Sequence, residues 1–293
     1  MTTELRSATD AARLLEWIGS SESRSDEVTR APIAALSAIL DRDDPAPRVG
    51  DSLPPLWHWL YFLPITRHSE IDHDGHPKRG GFLPPVPLSR RMWAGSRVQF
   101  RRPLRVGEAI ARVSHVVDVS HKTGRSGPLT LVVVRHEISS AGTLALIEEQ
   151  DLLYLAAPHE SGAASTPRRA AAAAADPAWE RRIRPDATLL FRFSALTFNG
   201  HRIHYDRQYA QTVEGYPALV VHAPLAALLL LDAMRRHMPN HNVAAFSFRA
   251  MKPLLDCAPF DVCGKPEADG STVRLWIRDA AGELATDATA TLA

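Results

Sequence analysis

Cysteine, long apolar runs and a surplus of either charge are all scarce in this chain. The two cysteines, Cys257 and Cys263, stand six residues apart. They are too few for a disulfide scaffold, and no CxxC pair is present to hold zinc. A reduced compartment, the cytoplasm, is therefore expected. No stretch approaches the roughly 18 consecutive apolar residues that a membrane span needs. The first residues are polar and mixed in charge, without the apolar core of a signal peptide. Lys and Arg number 34 against 33 Asp and Glu, a net charge of +1, and the arginines are scattered through apolar segments. No basic face is available for nucleic acid. What is present, 45% hydrophobic and 23% charged residues over 293 positions, suits a soluble globular protein of one large or two ordinary domains.

Local patterns divide the chain. Ala11, Leu14, Leu15 and Ile18 recur at helix spacing after Thr9-Asp10, and Ile33, Leu36, Ile39 and Leu40 do so after Pro32. Residues 1–48 thus read as a helical arm. Leu56–Phe62 is densely aromatic and reads as a buried element, whereas Asp72–Gly81 carries every signal of a loop. Its Asp72, His73, Asp74 and His76 are crowded on that one segment without an evident distant partner, so no metal site is expected. Strands are expected over Ala109–Val119, Leu129–Ile138 and Leu144–Leu155. The Ala-rich stretch then reads as a linker, residues 159–181, between a first domain, 49–158, and a second, 182–293.

The second domain echoes the first. Phe246-Ser247-Phe248-Arg249 with Pro253 parallels Val98-Gln99-Phe100-Arg101 with Pro103. Arg274-x-x-Ile277 followed by Ala281-Gly282 parallels Arg135-x-x-Ile138 followed by Ala141-Gly142. The shared order suggests a duplicated unit. The strongest helix signal, Pro224–Met238, is apolar on nearly every side, which places it inside a wrapped sheet.

Chemistry-bearing residues concentrate in Asn199-Gly200-His201-Arg202-Ile203-His204-Tyr205-Asp206, followed by Val221-His222-Ala223-Pro224 at the helix entry. A polar loop beside a helix start offers a ligand both side chains and free backbone N–H groups. These residues resemble the active-site segment of the MaoC-like hydratase 2 family, and more narrowly its two-hot-dog hydroxyacyl-thioester dehydratase type 2 subgroup, which includes mesaconyl-C4-CoA and itaconyl-CoA hydratases. Ser89-Arg90-Arg91-Met92-Trp93-Ala94-Gly95 resembles that subgroup's Pro-Arg-Arg-Met-Trp-Ala-Gly stretch, with Ser89 replacing proline.

The resemblance implies an α+β protein built as a tandem, or double, hot dog, with antiparallel sheets each wrapping a central helix. It implies a hydro-lyase acting on an enoyl-CoA, with coenzyme A as part of the substrate, no cofactor, and room for a homodimer. The family motif places its catalytic His on His204 and its trailing Asp on Asp206. Its catalytic Asp falls on Asn199, a departure from the pattern. An amide is no base at neutral pH but can orient a water, and Asp206 or Glu214 could supply a carboxylate instead. The N–H groups of Ala223 and His222 are expected at the thioester oxygen. His201 and Arg202, with Arg90 and Arg91, are candidate substrate contacts, the arginines for a substrate carboxylate or a CoA phosphate. The first domain is expected to lack catalytic groups and to hold the acyl or CoA portion. A short branched dicarboxylyl-CoA is the expected substrate. A fatty 3-hydroxyacyl thioester and non-catalytic acyl-thioester binding are the alternatives.

Overall fold

Period-two alternation of apolar side chains over long stretches builds the scaffold. In Gly127–Ser140 the residues Val132, Val134, His136 and Ile138 all turn to the buried side while their neighbours face out. The computed structural model describes residues 13–124, 127–156 and 171–293. Their ten strands are β1 (Ser21–Glu27), β2 (Arg90–Phe100), β3 (Ala109–Gly124), β4 (Gly127–Ser140), β5 (Thr143–Leu155), β6 (Trp179–Ile183), β7 (Val243–Ala250), β8 (Phe260–Pro266), β9 (Thr272–Asp279) and β10 (Leu284–Leu292). They form a single antiparallel sheet in the order β1-β3-β4-β5-β2-β7-β10-β9-β8-β6.

That order is one five-stranded pattern written twice and joined at its centre, where β2 pairs with β7 and Arg97 lies opposite Ser247. The echoing segments of the sequence occupy equivalent places. Val98 sits directly across from Phe246, and Arg135 on β4 corresponds to Arg274 on β9. The tandem hot dog is therefore the architecture of this chain.

The halves divide the helices unequally. Helix α4 (Ala223–His237) is buried continuously from Leu225 to Met234, because Leu and Ala occupy nearly every side of it. It lies against β2, β6, β8, β9 and β10, wrapped as expected. Besides the helical residues 13–14, the described part of the first half has only α1 (Arg30–Ile39), which packs against α2 (Ala187–Leu196) and the short 3-10 turn Trp57–Leu60. The concave face of the first half's sheet is left to line a cavity of about 1350 Å³.

The N-terminal segment, expected to be a helical arm, contains a strand. Ser21–Glu27 joins the sheet edge beside β3, while residues 13–14 are helical and run into the 3-10 turn Leu15–Trp17 within the stretch read as the first helix. Most of the expected linker lies outside the described residues. Its described end pairs Ala172 with Glu283 and enters β6 at Trp179, three residues before the expected start of the second domain.

Candidate active site

The motif is a turn between two helices. Helix α2 ends at Leu196, Phe198 takes a left-handed φ of 50°, and the chain closes into the 3-10 turn Arg202–His204. His204 is buried, and its Nδ1 lies 2.7 Å from the carbonyl of Val220. That carbonyl accepts, so Nδ1 carries the proton and Nε2 is left with a lone pair. His204 lines the cavity, and Nε2 has no hydrogen-bond partner among the described residues. Burial, and then the neighbouring His201, push the His204 pKa down to about 3, against the opposing pull of the Val220 carbonyl. At neutral pH the ring is an uncharged proton acceptor.

His222 stacks on His204, with ring centroids 3.6 Å apart and planes at 19°. Its Nε2 meets Ser194 Oγ at 2.8 Å, and burial together with His204 and His201 holds it neutral. It precedes α4, whose first residues Ala223 and Pro224 line the cavity. The N–H of Ala223 has no carbonyl one turn back within the helix, and Pro224 has no N–H. Ala223 is therefore the donor that α4 presents to the cavity.

Asn199 also lines the cavity. Its Oδ1 accepts from the backbone N–H of His201 at 3.0 Å, which fixes the amide orientation and leaves the Nδ2 donors free. Of the remaining expected side chains, Asp206, Arg202, His201 and Arg90 stand outside the cavity lining. Asp206, expected among the catalytic groups, caps helix α3 (Arg207–Thr212) by accepting from Tyr209 N at 3.0 Å, and it pairs with Arg202 at 2.8 Å. That backbone hydrogen bond and Arg202 hold its carboxyl below the usual range, as suits a cap. Arg202 in turn reaches the His73 carbonyl and lies over the Tyr209 ring, outside the cavity lining. His201 is committed to Glu214 at 2.9 Å and is likewise not part of the lining. On β2 the alternation of faces separates the paired arginines. Arg90 turns to Tyr216 and Glu214, whereas Arg91 lines the cavity.

The loop read only as a loop is part of the site. Gly75, at φ 91°, lies so close to the motif that a Cβ there would sit 1.8 Å from the Gly200 carbonyl oxygen. A Cβ on Gly200 would lie 2.6 Å from the Gly75 oxygen, and Arg202 N donates to the Asp74 carbonyl at 2.9 Å. Two facing glycines thus let a first-half loop dock backbone to backbone on the motif. The docking carries His76 into the cavity wall, with its ring centroid 4.2 Å from that of His201. His76 Nδ1 pairs with buried Asp74 at 3.0 Å. Burial alone would raise Asp74, yet the hydrogen bonds from the His76 ring and backbone N–H hold it well below the carboxylate range. His201 is the distant partner that the sequence did not reveal, and Asp74, His76 and His201 each present a ligand-type atom within 4.8 Å of the others. Those atoms lie in an internal hydrogen-bond network, since Asp74 is bonded to His76 and His201 to Glu214.

The first half also contributes polar side chains to the cavity lining. Glu148 is fully buried and meets His58 at 3.0 Å, Trp59 Nε1 at 3.0 Å and Ser96 Oγ at 2.9 Å. Burial opposes its ionisation, but the His58 bond leads the interactions that bring its pKa down to about 2. His136 is pushed down to about 4 by burial, and Arg112 stacks on Phe62 while pairing with Glu22 at 3.3 Å.

The model of the hydroxyacyl-thioester dehydratase type 2 family matches residues 56–256, which contain the docked loop, the motif and the wrapped helix. The chain belongs to that family. It is 46% identical over 260 residues to the mesaconyl-C(4)-CoA hydratase of Chloroflexus aurantiacus, covering 88% of this chain and 91% of that one. Its fold is shared with HtdX of Mycobacterium tuberculosis, at a TM-score of 0.61 and 18% identity over 92% of this chain and 99% of that one. A further Mycobacterium tuberculosis protein with a double hotdog fold superposes with a TM-score of 0.54 and 16% identity, over 94% and 96% of the two chains. Within the family frame, the histidine of the motif is the residue that this structure pins and aims.

Proposed function

We propose that this family member is a hydro-lyase that adds water reversibly across the double bond of an enoyl-CoA, with mesaconyl-C4-CoA as the first substrate to test. The observation that carries the reading is His204, neutral, buried and fixed through Nδ1, with Nε2 open to a cavity that the start of α4 also lines. In the forward direction, water hydrogen-bonded to the Asn199 amide attacks the β-carbon as Nε2 takes one of its protons. Charge passes to the thioester oxygen, where the Ala223 N–H stabilises it. The imidazolium then returns that proton to the α-carbon, so one water is added and His204 is regenerated. Coenzyme A arrives with the substrate, and the chemistry calls for no further cofactor.

The 46% identity to a mesaconyl-C(4)-CoA hydratase supports a short dicarboxylyl substrate. Glu148, His136 and Arg112 add polar groups to the cavity lining that an aliphatic tail beside them could not satisfy. No helix of the described residues is long and apolar enough to cross a membrane.

The test is loss of the conjugated enoyl-thioester absorbance with mesaconyl-C4-, crotonyl- and longer enoyl-CoA, and the mass gain of one water with itaconyl-CoA, whose double bond is not conjugated with its thioester. His204→Ala is expected to lower kcat by about 10²–10⁴-fold with a smaller change in substrate binding. Full activity of that variant on every thioester would remove the mechanism. Faster turnover of long-chain substrates would favour fatty-acyl dehydration instead, and binding without turnover a non-catalytic role.

A further inference from the structure

Six cationic side chains line the cavity: Arg24, Lys78, Arg79, Arg91, Arg112 and Lys252. Five have fixed acceptors. Arg24 and Arg112 share Glu22, and Lys252 lies between Asp279 and Glu283. Arg79 is fastened to the carbonyls of Val86, Leu88 and Ser89 and stacks on Tyr154, and Lys78 reaches the Ser69 carbonyl. Of these six, Arg91 alone has neither a carboxylate within ion-pair distance nor a hydrogen-bond acceptor among the described residues, although its neighbour Arg90 has both. A half-buried guanidinium without a counter-charge is costly, and an anionic ligand offsets that cost.

Its position says which part of a ligand it meets. Its neighbour Arg90 pairs at 3.5 Å with Glu214, which holds His201 of the motif at 2.9 Å, and Arg91 shares the cavity lining with His76 and His204, its charge acting on His76. Arg91 therefore faces the motif. A CoA thioester whose reacting carbons lie at His204 keeps its phosphates a whole pantetheine arm away, whereas a carboxylate on the β-carbon is held next to those carbons. We infer that Arg91 is the receptor for a carboxylate borne on the acyl group, and so the residue that selects dicarboxylyl over plain acyl thioesters. The inference rests on the hydratase reading given above and deepens it. Its planar fork accepts both oxygens of a carboxylate, a geometry that lysine reproduces only in charge.

The test compares two unreactive thioesters with identical CoA portions, by calorimetry. Succinyl-CoA has its carboxylate on the β-carbon, and butyryl-CoA has a methyl group there. Wild type is expected to bind succinyl-CoA about tenfold or more tighter than butyryl-CoA, the range of a partly desolvated charge-assisted pair. Arg91→Gln should erase that preference while butyryl-CoA affinity stays within about threefold, and Arg91→Lys should retain part of it. Equal loss for both thioesters in Arg91→Gln would put the guanidinium on a CoA phosphate or in the scaffold, and would overturn the inference. So would a wild type that binds both equally, even if it hydrates enoyl thioesters. A wild type that binds neither would sink the reading of the site together with the inference. Should Arg91→Gln unfold, the wild-type ratio and the Arg91→Lys variant still decide.

Discussion

A histidine buried without a counter-charge is an unusual proton acceptor, and His204 is held in that state by its surroundings. With its pKa down to about 3 in the free protein, it stays neutral well below the pH at which an exposed histidine charges. Plotted against pH, kcat/KM should therefore be flat from about 8 down to about 5, because it reports the free enzyme. An acid limb centred at the ordinary histidine value would contradict the assignment. Asn199→Asp probes the other departure from a plain histidine site. An aspartate keeps the bond to His201 N but exchanges the free Nδ2 donors for negative charge facing the cavity. Hydration of crotonyl-CoA should persist within about tenfold, while KM for mesaconyl-C4-CoA rises through repulsion of its carboxylate. Matching steady-state changes for the two substrates would rule out that repulsion. The motif named His204 and Asn199 because their chemistry is local in sequence. It could not separate Arg90 from Arg91, since which face of β2 each takes depends on a register set by β5 and β7. Asp206 looked catalytic for the converse reason: a carboxylate at a helix start reads the same whether it caps the helix or serves a site.

Elements supply what single residues cannot, and the docked loop is the clearest case. Gly75→Ala places a methyl group against the Gly200 carbonyl and strains a left-handed backbone. The loop must then lift, carrying His76 away from the wall. We expect kcat/KM to fall by about tenfold or more, with a loss of unfolding free energy of about 1–3 kcal/mol. Near-native turnover in this variant, with a folded circular-dichroism spectrum, would show that the docking is dispensable. Turn chemistry marked Asp72–Gly81 as a loop but gave no clue to its contact with the motif, because the two segments are separated by more than a hundred residues. Helix α4 was legible since it is apolar on every side. Strand β1 was not, because Ser21–Glu27 alternates polar residues of different size and has no hydrophobic period to read.

Across the whole molecule, the duplicated order of strands followed from short repeated signatures, while the unequal sharing of helices did not, because no repeat marks what is missing. One cavity thus serves two halves, and its walls bury several uncharged histidines. His204 and His136 are held near 3 and 4, and His76 and His222 well below the ordinary value. The unfolded chain protonates these rings near pH 6.5, whereas the folded protein does not. Folding stability is therefore complete above that pH and falls as the pH drops towards the folded values, by roughly 1.4 kcal/mol per unit for each such ring. Denaturant midpoints should decline clearly between pH 7.5 and 5, and a constant midpoint across that range would contradict the neutral burial. The two rims of the sheet carry a different lesson. Strands β1 and β6 are short, seven and five residues, and β1 reads Ser-Glu-Ser-Arg-Ser-Asp-Glu. Charge along so brief a rim disfavours the addition of a further strand from another chain. The ladder is thus closed to growth at both ends, and a fold whose backbone could template its own aggregation is protected by the same polar residues that hid its first strand.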